Sequence, residues 1–291
     1  MASELILDPS QCPSAAEKAM LPAHSHSHPH PPGWRARFRQ PLIGFASVAL
    51  ALIVWQLSGY LAWVDPLLLP PPSEVFRTAL ELLDSGYRQT PLWQHFLISV
   101  ARALSAFAAA IAIGVPLGLG MGLAPTLNAV LDPFIQFLRP LPKIALIPLV
   151  VVWFGIGESS KFFLIFISSF LSIVVGAVAS VASVSQGRIR VAQTLGATRR
   201  QIFRHVVLPN ALPELFTSVR LSIGIGWTSL IAAEMVAADS GLGWMVINAG
   251  TYLRTDIVLL GILLLGLTGY FFDWLLVRLQ RRFAPWAGRD A

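Results

Sequence analysis

The chain has 291 residues, of which 55% are hydrophobic and 12% charged, whereas a soluble globular domain carries about 25% charged residues. Its mean hydropathy is +0.67, and its apolar residues occur in long blocks without strand-like alternation. These features exclude an ordinary soluble enzyme and predict an all-α, polytopic membrane protein.

Several kinds of chemistry are disfavoured by residue type. The single cysteine, Cys12, cannot form an intramolecular disulfide or a cysteine-rich metal site. None of the three lysines, Lys18, Lys143 and Lys161, follows glycine and precedes Ser or Thr, as a phosphate-binding Walker A loop requires. No two histidines form a His-Glu-x-x-His zinc motif. We therefore predict a chain that is not an enzyme and binds no cofactor, so that ATP-driven work would need a partner.

Residues 1–40 are polar and rich in Pro, Ser and His, which predicts a disordered cytoplasmic tail. Within it, His24, His26, His28 and His30 alternate with Ser and Pro. Such a tract could hold a divalent metal weakly, but a solvated tail is the favoured interpretation.

The first uncharged block covers residues 41–63, and a helix of this length spans about 34 Å, enough for a hydrocarbon core of about 30 Å. Two further uncharged blocks and three weaker segments that contain or adjoin charges bring the expected number of transmembrane helices to about six. They are 103–123 and 162–184, then about 132–153 (interrupted by Pro140 and Pro142), 215–236 and 257–276. The predicted membrane domain is therefore 41–276, with a basic cytoplasmic tail at 277–291.

Most of the 21 Lys and Arg residues fall on one side of this arrangement. Since basic loops stay on the cytoplasmic side, both termini are predicted to be cytoplasmic, in a bacterial inner membrane. The net charge of +6 is then explained by topology and by contact with anionic lipids, and nucleic-acid binding is not expected.

The external segment 64–91 contains the run Leu67–Pro72, then Ser73 and an amphipathic stretch through Leu83. This pattern predicts a short helix at the membrane surface. Four acids make the segment a candidate docking surface for a soluble partner, and a solvated loop is an equal alternative. They are Asp65, Glu74, Glu81 and Asp84.

The loop 185–214 is predicted to form two short helices joined at Gly196, with Thr198 capping the second helix and Pro209 ending it. Its apolar residues recur at helical spacing, and its arginines lie mostly on the other face. The apolar set is Val191, Ala192 and Leu195, then Ile202, Phe203, Val206 and Val207; the basic set is Arg199, Arg200 and Arg204.

This loop resembles the E-A-A-x3-G-x9-I-x-L-P loop of permease subunits of binding-protein-dependent ABC importers. The matching residues are Arg190, Val191, Ala192, Gly196, Val206, Leu208 and Pro209. The resemblance implies that the loop couples the permease to an ATPase subunit by inserting into a cleft. Arg190 departs from the pattern, which has Glu there, and no acidic role is carried over.

Further stretches are similar to the nitrate, sulfonate and taurine branch of that family, and most of all to taurine permeases. They are 152–158, 188–197, 226–234, 254–259 and 279–286, within a resemblance that covers about 61–288. It implies a type I ABC importer fold and a homodimer working with two ATPase subunits. A periplasmic binding protein would deliver taurine or a related sulfonate, with nitrate, bicarbonate and other alkanesulfonates as alternatives.

Charged residues inside the predicted spans need an explanation, because each costs about 2.5 to 3.5 kcal/mol at the bilayer centre. Arg102 and Asp273 are interpreted as snorkelling to the interface from their helix ends. Arg220 is expected to pair with backbone carbonyls or lipid phosphate.

Glu234 follows a long uncharged stretch and lies toward the external end of its span. One hypothesis places it in the translocation pathway together with Trp227, Thr228 and Ser229, and the favoured alternative is a structural ion pair near the outer surface.

Two rival classes stay open. A secondary transporter would need a deep ion-coupling carboxylate and would work alone. An intramembrane enzyme would need clustered His, Ser or Asp within the spans, which His95 and His205 do not supply.

Overall fold

A computed structural model describes residues 34–61 and 63–286. The predicted tail up to residue 33, with its four alternating histidines, and residues 287–291 lie outside the described residues. Two units are distinguished, Met1–Ile53 and Val54–Ala291, and the packing below concerns the second unit.

The described part of the chain is built from helices. In chain order they are α1 Trp34–Tyr60, α2 Pro72–Asp84, α3 Leu92–Leu123, α4 Pro125–Leu138, a 3₁₀ turn Lys143–Leu146, α5 Ile147–Phe154, α6 Glu158–Ala182, α7 Gln186–Thr194, α8 Arg199–Ile202, a π turn Phe203–Val207, α9 Leu208–Ala237, α10 Leu242–Thr251 and α11 Thr255–Phe283.

Five helical segments of the described residues are long and apolar enough to cross a membrane. Residues 125–138 and 143–154 together pass the same test but are bent by 91° at the break between them. The break falls at the predicted interruption, Pro140 and Pro142. The expectation of about six spans is met when this bent pair is counted as one.

Helix α6 lies between α3 and α9, and small residues bring the three backbones close together. A Cβ added to Gly118 of α3 would lie 2.6 Å from the Ala177 Cβ, and one added to Gly176 would lie 2.3 Å from the Ser218 Cβ of α9. Close approach of this kind supplies the van der Waals contact that holds membrane helices together.

The helices are longer than the uncharged blocks predicted. Helix α3 begins at Leu92 and α6 at Glu158, so Arg102, Glu158 and Lys161 lie within helices. Counting uncharged residues truncated these helices because it treats every charge as an end, whereas these charges are paired with one another within the helices.

Helices α1 and α11 continue beyond the uncharged blocks. Residues 34–40 belong to α1 and 277–283 to α11, since arginine is a good helix former and extends a helix beyond its apolar part. The bounds of the membrane domain, 41–276, and of the basic tail, 277–291, stay predictions. One boundary within the loop was predicted wrongly. Pro209 does not end a helix: it stands in the first turn of α9, where its missing N–H costs no hydrogen bond. Residues 208–214 of the predicted loop are therefore the first turns of α9.

Helix α6 runs from one end of the helix bundle to the other. Its 25 residues rise about 37 Å from Glu158 to Ala182. Helix α9 returns in the opposite direction, from the loop 185–207 to Glu234 and Ala237. We call these the loop end and the cluster end.

Candidate functional site

At the loop end, helix α7 is terminated by Gly196, which adopts a left-handed backbone conformation. Gly196 has φ +77°, its N–H donates to Gln193 O at 3.0 Å, and the Ala197 N–H donates to Ala192 O at 3.1 Å. This pair of bonds is a Schellman motif, which satisfies carbonyls that the helix end would leave unpaired. The prediction of two helices joined at Gly196 is confirmed.

The second helix of the loop is fixed by a capping box. The Thr198 N–H donates to Gln201 Oε1 at 2.8 Å, and the Gln201 N–H donates to Thr198 Oγ1 at 3.4 Å. The predicted cap is therefore present. A π turn, Phe203–Val207, then leads directly into α9.

The inner face of the loop is anchored to the bundle. Ile202 and Val207 are buried with Val184 and Ala211, and Phe203 and Val206 pack against this group, as the periodicity predicts. The Trp286 indole Nε1 also donates to the Pro209 carbonyl at 3.2 Å. The loop is thus packed firmly against the start of α9.

The outer face of the loop combines apolar and basic groups. Val191 and Leu195 are 60% and 81% exposed, whereas Ala192 packs inward, so the face that these three residues are predicted to share is largely open to solvent. Next to Leu195 is a groove of about 430 Å³ that includes Gly196 and His205. The loop also carries four exposed arginines: Arg190, Arg199, Arg200 and Arg204. Its outer surface is therefore both apolar and positively charged.

The predicted loop-motif residues divide by exposure. Arg190, Val191 and Gly196 are exposed. The half-buried members are Ala192, Val206, Leu208 and Pro209. The first group is accessible at the surface, whereas the second packs against the rest of the chain.

The cluster end contains an ion cluster formed by Arg102, Glu158, Lys161 and Glu234. Arg102 donates to both oxygens of Glu158, from Nη2 and from Nε, each at 2.6 Å. Its Nη1 donates to Glu234 Oε1 at 2.8 Å, and Lys161 Nζ donates to Glu158 Oε1 at 2.8 Å. Two cations and two anions make the cluster neutral.

Arg102 is buried in this cluster, with a side chain 7% exposed, so the prediction that it snorkels is wrong. Two carboxylates from α6 and α9 satisfy its guanidinium inside the protein. A bidentate carboxylate contact is a stronger interaction for arginine than a reach to the interface.

Glu234 is fully buried and ties the turn between α9 and α10 to α3. Ser99 Oγ donates to Glu234 Oε1 at 2.7 Å, and the Gly243 N–H donates to Oε2 at 2.8 Å. His95 Nδ1 accepts the Gly241 N–H at 3.0 Å in the same region. This arrangement agrees with the interpretation favoured for Glu234 from the sequence, a structural ion pair.

The other predicted pathway residues do not join Glu234. Trp227 is buried and meets Phe272 edge-on, with ring centroids 5.4 Å apart. Thr228 is exposed and Ser229 buried, and both hydroxyls donate to the Ile225 carbonyl. A role for these four residues in the pathway stays a prediction.

Arg220 and Asp273 pair with each other across α9 and α11, with Arg220 Nη2 donating to Asp273 Oδ2 at 2.7 Å. The predictions of snorkelling for Asp273 and of carbonyl or lipid pairing for Arg220 are therefore corrected. The two residues are 53 positions apart, so sequence spacing gives no sign of the pair.

The predicted amphipathic helix of segment 64–91 is confirmed as α2, which buries Val75 and Leu82. Thr78 Oγ1 donates to Asp256 Oδ2 at 2.9 Å, joining α2 to α11 at the cluster end. A groove of about 630 Å³ beside this contact is lined by the acids Glu74 and Glu81 among others.

Two groups near this groove have shifted pKa values. The Arg254 guanidinium is hydrogen-bonded to the Asp256 carboxylate, which raises the pKa of Arg254. Burial raises the pKa of the Tyr87 phenol, which donates to Asn248 Oδ1 at 2.7 Å. Both side chains therefore keep their protons at neutral pH.

The sequence did not lead us to predict helix α10, nor that the four charged residues would form one cluster. The signal for α10 was present in Leu242, Met245 and Ala249, which recur at helical spacing after Gly241 and are buried. The spacing of Glu158 and Lys161, one helical turn apart, was a signal for their pair.

Residues 110–285 match the family described as "Binding-protein-dependent transport system inner membrane component". The chain is 44% identical over 251 residues to the taurine transport system permease protein TauC of Escherichia coli K12, covering 86% of this chain and 91% of that protein. It is 40% identical over 233 residues to the putative aliphatic sulfonates transport permease protein SsuC of the same organism, covering 80% and 87%.

The fold also has a solved counterpart. An inward-facing structure of the MetNI methionine ABC transporter aligns with a TM-score of 0.54 at 22% identity, over 64% of this chain and 92% of that chain. At this identity the match establishes the fold.

Proposed function

The chain belongs to the family of binding-protein-dependent transport system inner membrane components, and we propose that it is the permease subunit of an ATP-driven importer for taurine or a related sulfonate. The observation that supports taurine as the substrate is the 44% identity to the taurine permease over 86% of this chain. ATP hydrolysis belongs to a separate subunit in this proposal.

The loop 185–207 is proposed to contact that ATPase subunit. Its exposed Val191 and Leu195, and the groove beside them, offer apolar surface to a protein cleft. The exposed arginines of the loop would contact acidic groups of the partner. Arg190 takes the place of the Glu that is usual in this motif, so the contact at that position would have the opposite charge.

Motion would pass from the loop to the cluster end through α9. The loop is anchored by Ile202 and Val207, and α9 continues from it to Glu234 and Ala237. A rigid helix about 45 Å long transmits a tilt at one end to the other. Alternating access would follow from that tilt.

The remaining subunits and the orientation complete the proposal. Two copies of this chain would form the pathway between them, with two ATPase subunits at the loop end. The distribution of basic residues supports a cytoplasmic location for the loop end and both termini. A periplasmic binding protein would then dock at the cluster end, where Glu74 and Glu81 border the groove beside α2.

The test is reconstitution of this chain in liposomes with its ATPase and binding protein. Uptake of labelled taurine should need ATP and both partners, and unlabelled taurine should compete better than ethanesulfonate, nitrate or bicarbonate. ATP-dependent uptake that taurine does not inhibit would keep the permease and discard the substrate. Uptake without the ATPase would identify a secondary transporter.

The second candidate is an importer of other aliphatic sulfonates. It is favoured by the 40% identity to the sulfonate permease over 80% of this chain. The same competition assay separates the two candidates, since ethanesulfonate would then inhibit better than taurine.

A further inference from the structure

The ion cluster has an unusual distribution of exposure. Glu158 is 65% exposed, whereas the two cations that hold it, Arg102 and Lys161, are 7% and 5% exposed. A buried cation is costly unless an anion neutralises it. Here the neutralising anion is Glu158, the solvent-exposed member of the cluster.

Three donors converge on the two oxygens of this carboxylate. Arg102 Nε donates to Oε2, while Arg102 Nη2 and Lys161 Nζ share Oε1, at 2.6 Å and 2.8 Å. A sulfonate carries three oxygens, one for each donor. On the Glu158 carboxylate, by contrast, two of the three donors share one oxygen.

Glu158 is also the member of the cluster that can move most easily. It is the first residue of α6 and follows a turn in which Gly155 has φ +76°. There is open space around Gly155 and Gly157. Arg102 lies in the interior of α3 and Lys161 one turn into α6, and both are buried.

Glu234 keeps the site from collapsing when Glu158 leaves. It is bound to Arg102 Nη1, on the side of the guanidinium that does not face Glu158. Arg102 would thus stay in place with its Nε and Nη2 donors free. One net positive charge would remain, which suits a monoanionic group.

We propose that Arg102 and Lys161 form a binding site for the sulfonate group of the transported substrate, which the Glu158 carboxylate occupies in this conformation. The inference rests on the proposed function and deepens it. In a taurine complex the released Glu158 can pair with the substrate ammonium. The site lies at the cluster end, where the substrate would arrive from the binding protein.

The test measures equilibrium binding of radiolabelled taurine to the complex of this chain with its ATPase in nanodiscs, without the binding protein. Glu158→Gln removes the competing charge and nearly preserves the side-chain shape. Taurine should bind about tenfold more tightly to this variant than to the wild type, the order expected for one charged hydrogen-bond competitor. Ethanesulfonate should gain by a similar factor or more, because it has no ammonium to lose a contact with Glu158.

Two variants provide the controls. Adding Lys161→Gln to Glu158→Gln removes an anion and a cation together and should abolish the gain. Asp132→Asn neutralises an acid in α4, outside the cluster, and should leave binding unchanged. If Glu158→Gln is not recovered as a folded complex, Glu158→Asp withdraws the carboxylate by one methylene, and tighter binding is again expected.

Wild-type affinity in Glu158→Gln, or a gain that persists without Lys161, would overturn the inference. Uptake by the complete wild-type transporter is measured on the same preparation. Sulfonate uptake combined with no gain in binding rejects the site alone, whereas absence of sulfonate uptake rejects the proposed function.

Discussion

Arg102 Nη1 and Glu234 Oε1 lie 2.8 Å apart, and both side chains are withdrawn from the surface. The pair joins α3 to α9 at the end of the bundle farthest from the loop. Ser99 and the Gly243 N–H satisfy the rest of the Glu234 carboxylate. Because every part of the carboxylate is bonded, loss of its charge affects α3, α9 and α10 together.

Glu234→Gln should lower the free energy of unfolding by about 3 kcal/mol, the low end for a broken buried ion pair, since Glu158 still faces Arg102. The measurement is thermal unfolding of the purified chain in detergent. Glu74→Gln, which changes an acid in the groove beside α2, should unfold like the wild type.

Uptake by the same variant separates the two interpretations of Glu234. Lower stability with uptake in proportion to the folded protein supports a structural role. Wild-type stability with lost uptake would instead support the predicted role in the translocation pathway.

Local signals in the sequence were sufficient for much of the fold. The apolar blocks predicted the spans, and the Gly196 and Thr198 signals predicted the loop helices, because a positive φ and a helix cap depend on residues within one or two turns. The break at Pro140 and Pro142 was also predicted from the residues at the break itself.

The candidate site at the cluster end was not predictable in this way. Arg102 and Glu158 are 56 positions apart, and Arg102 and Glu234 are 132 apart. Which charges meet depends on how the helices pack, and a single sequence does not specify that. The same reason accounts for the error over Arg102, since a charge without a visible partner is assigned to the interface.

Gly196→Ala should weaken coupling to the ATPase. At φ +77° an alanine is strained by about 1 to 2 kcal/mol, so the Schellman motif opens and the exposed face of the loop shifts. Taurine-stimulated ATPase activity of the reconstituted complex should fall several-fold. Gly187→Ala, in α7 of the same loop, brings only an ordinary contact at 3.5 Å and should be silent. Equal activity of the two variants would argue against a role for the turn.

Leu195→Glu should abolish binding of the ATPase subunit without unfolding the permease. The side chain is 81% exposed, so the charge costs little in the isolated chain, but it would be buried in the proposed contact. Copurification of a tagged ATPase measures the effect. Leu68→Glu is the matched control, since Leu68 is 72% exposed in the segment before α2. Retention of the ATPase by Leu195→Glu would place the coupling surface elsewhere.

Gly176→Ala should destabilise the bundle because the added Cβ would lie 2.3 Å from the Ser218 Cβ, a distance that forces α6 and α9 apart. Overpacking of this kind costs about 1 to 3 kcal/mol, which thermal unfolding in detergent can resolve. Gly224→Ala is the control, because a Cβ there meets nothing within 4 Å and alanine favours the helix. Its unfolding temperature should equal or exceed that of the wild type. If both variants unfold alike, close packing of α6 on α9 is not what sets the stability of the bundle.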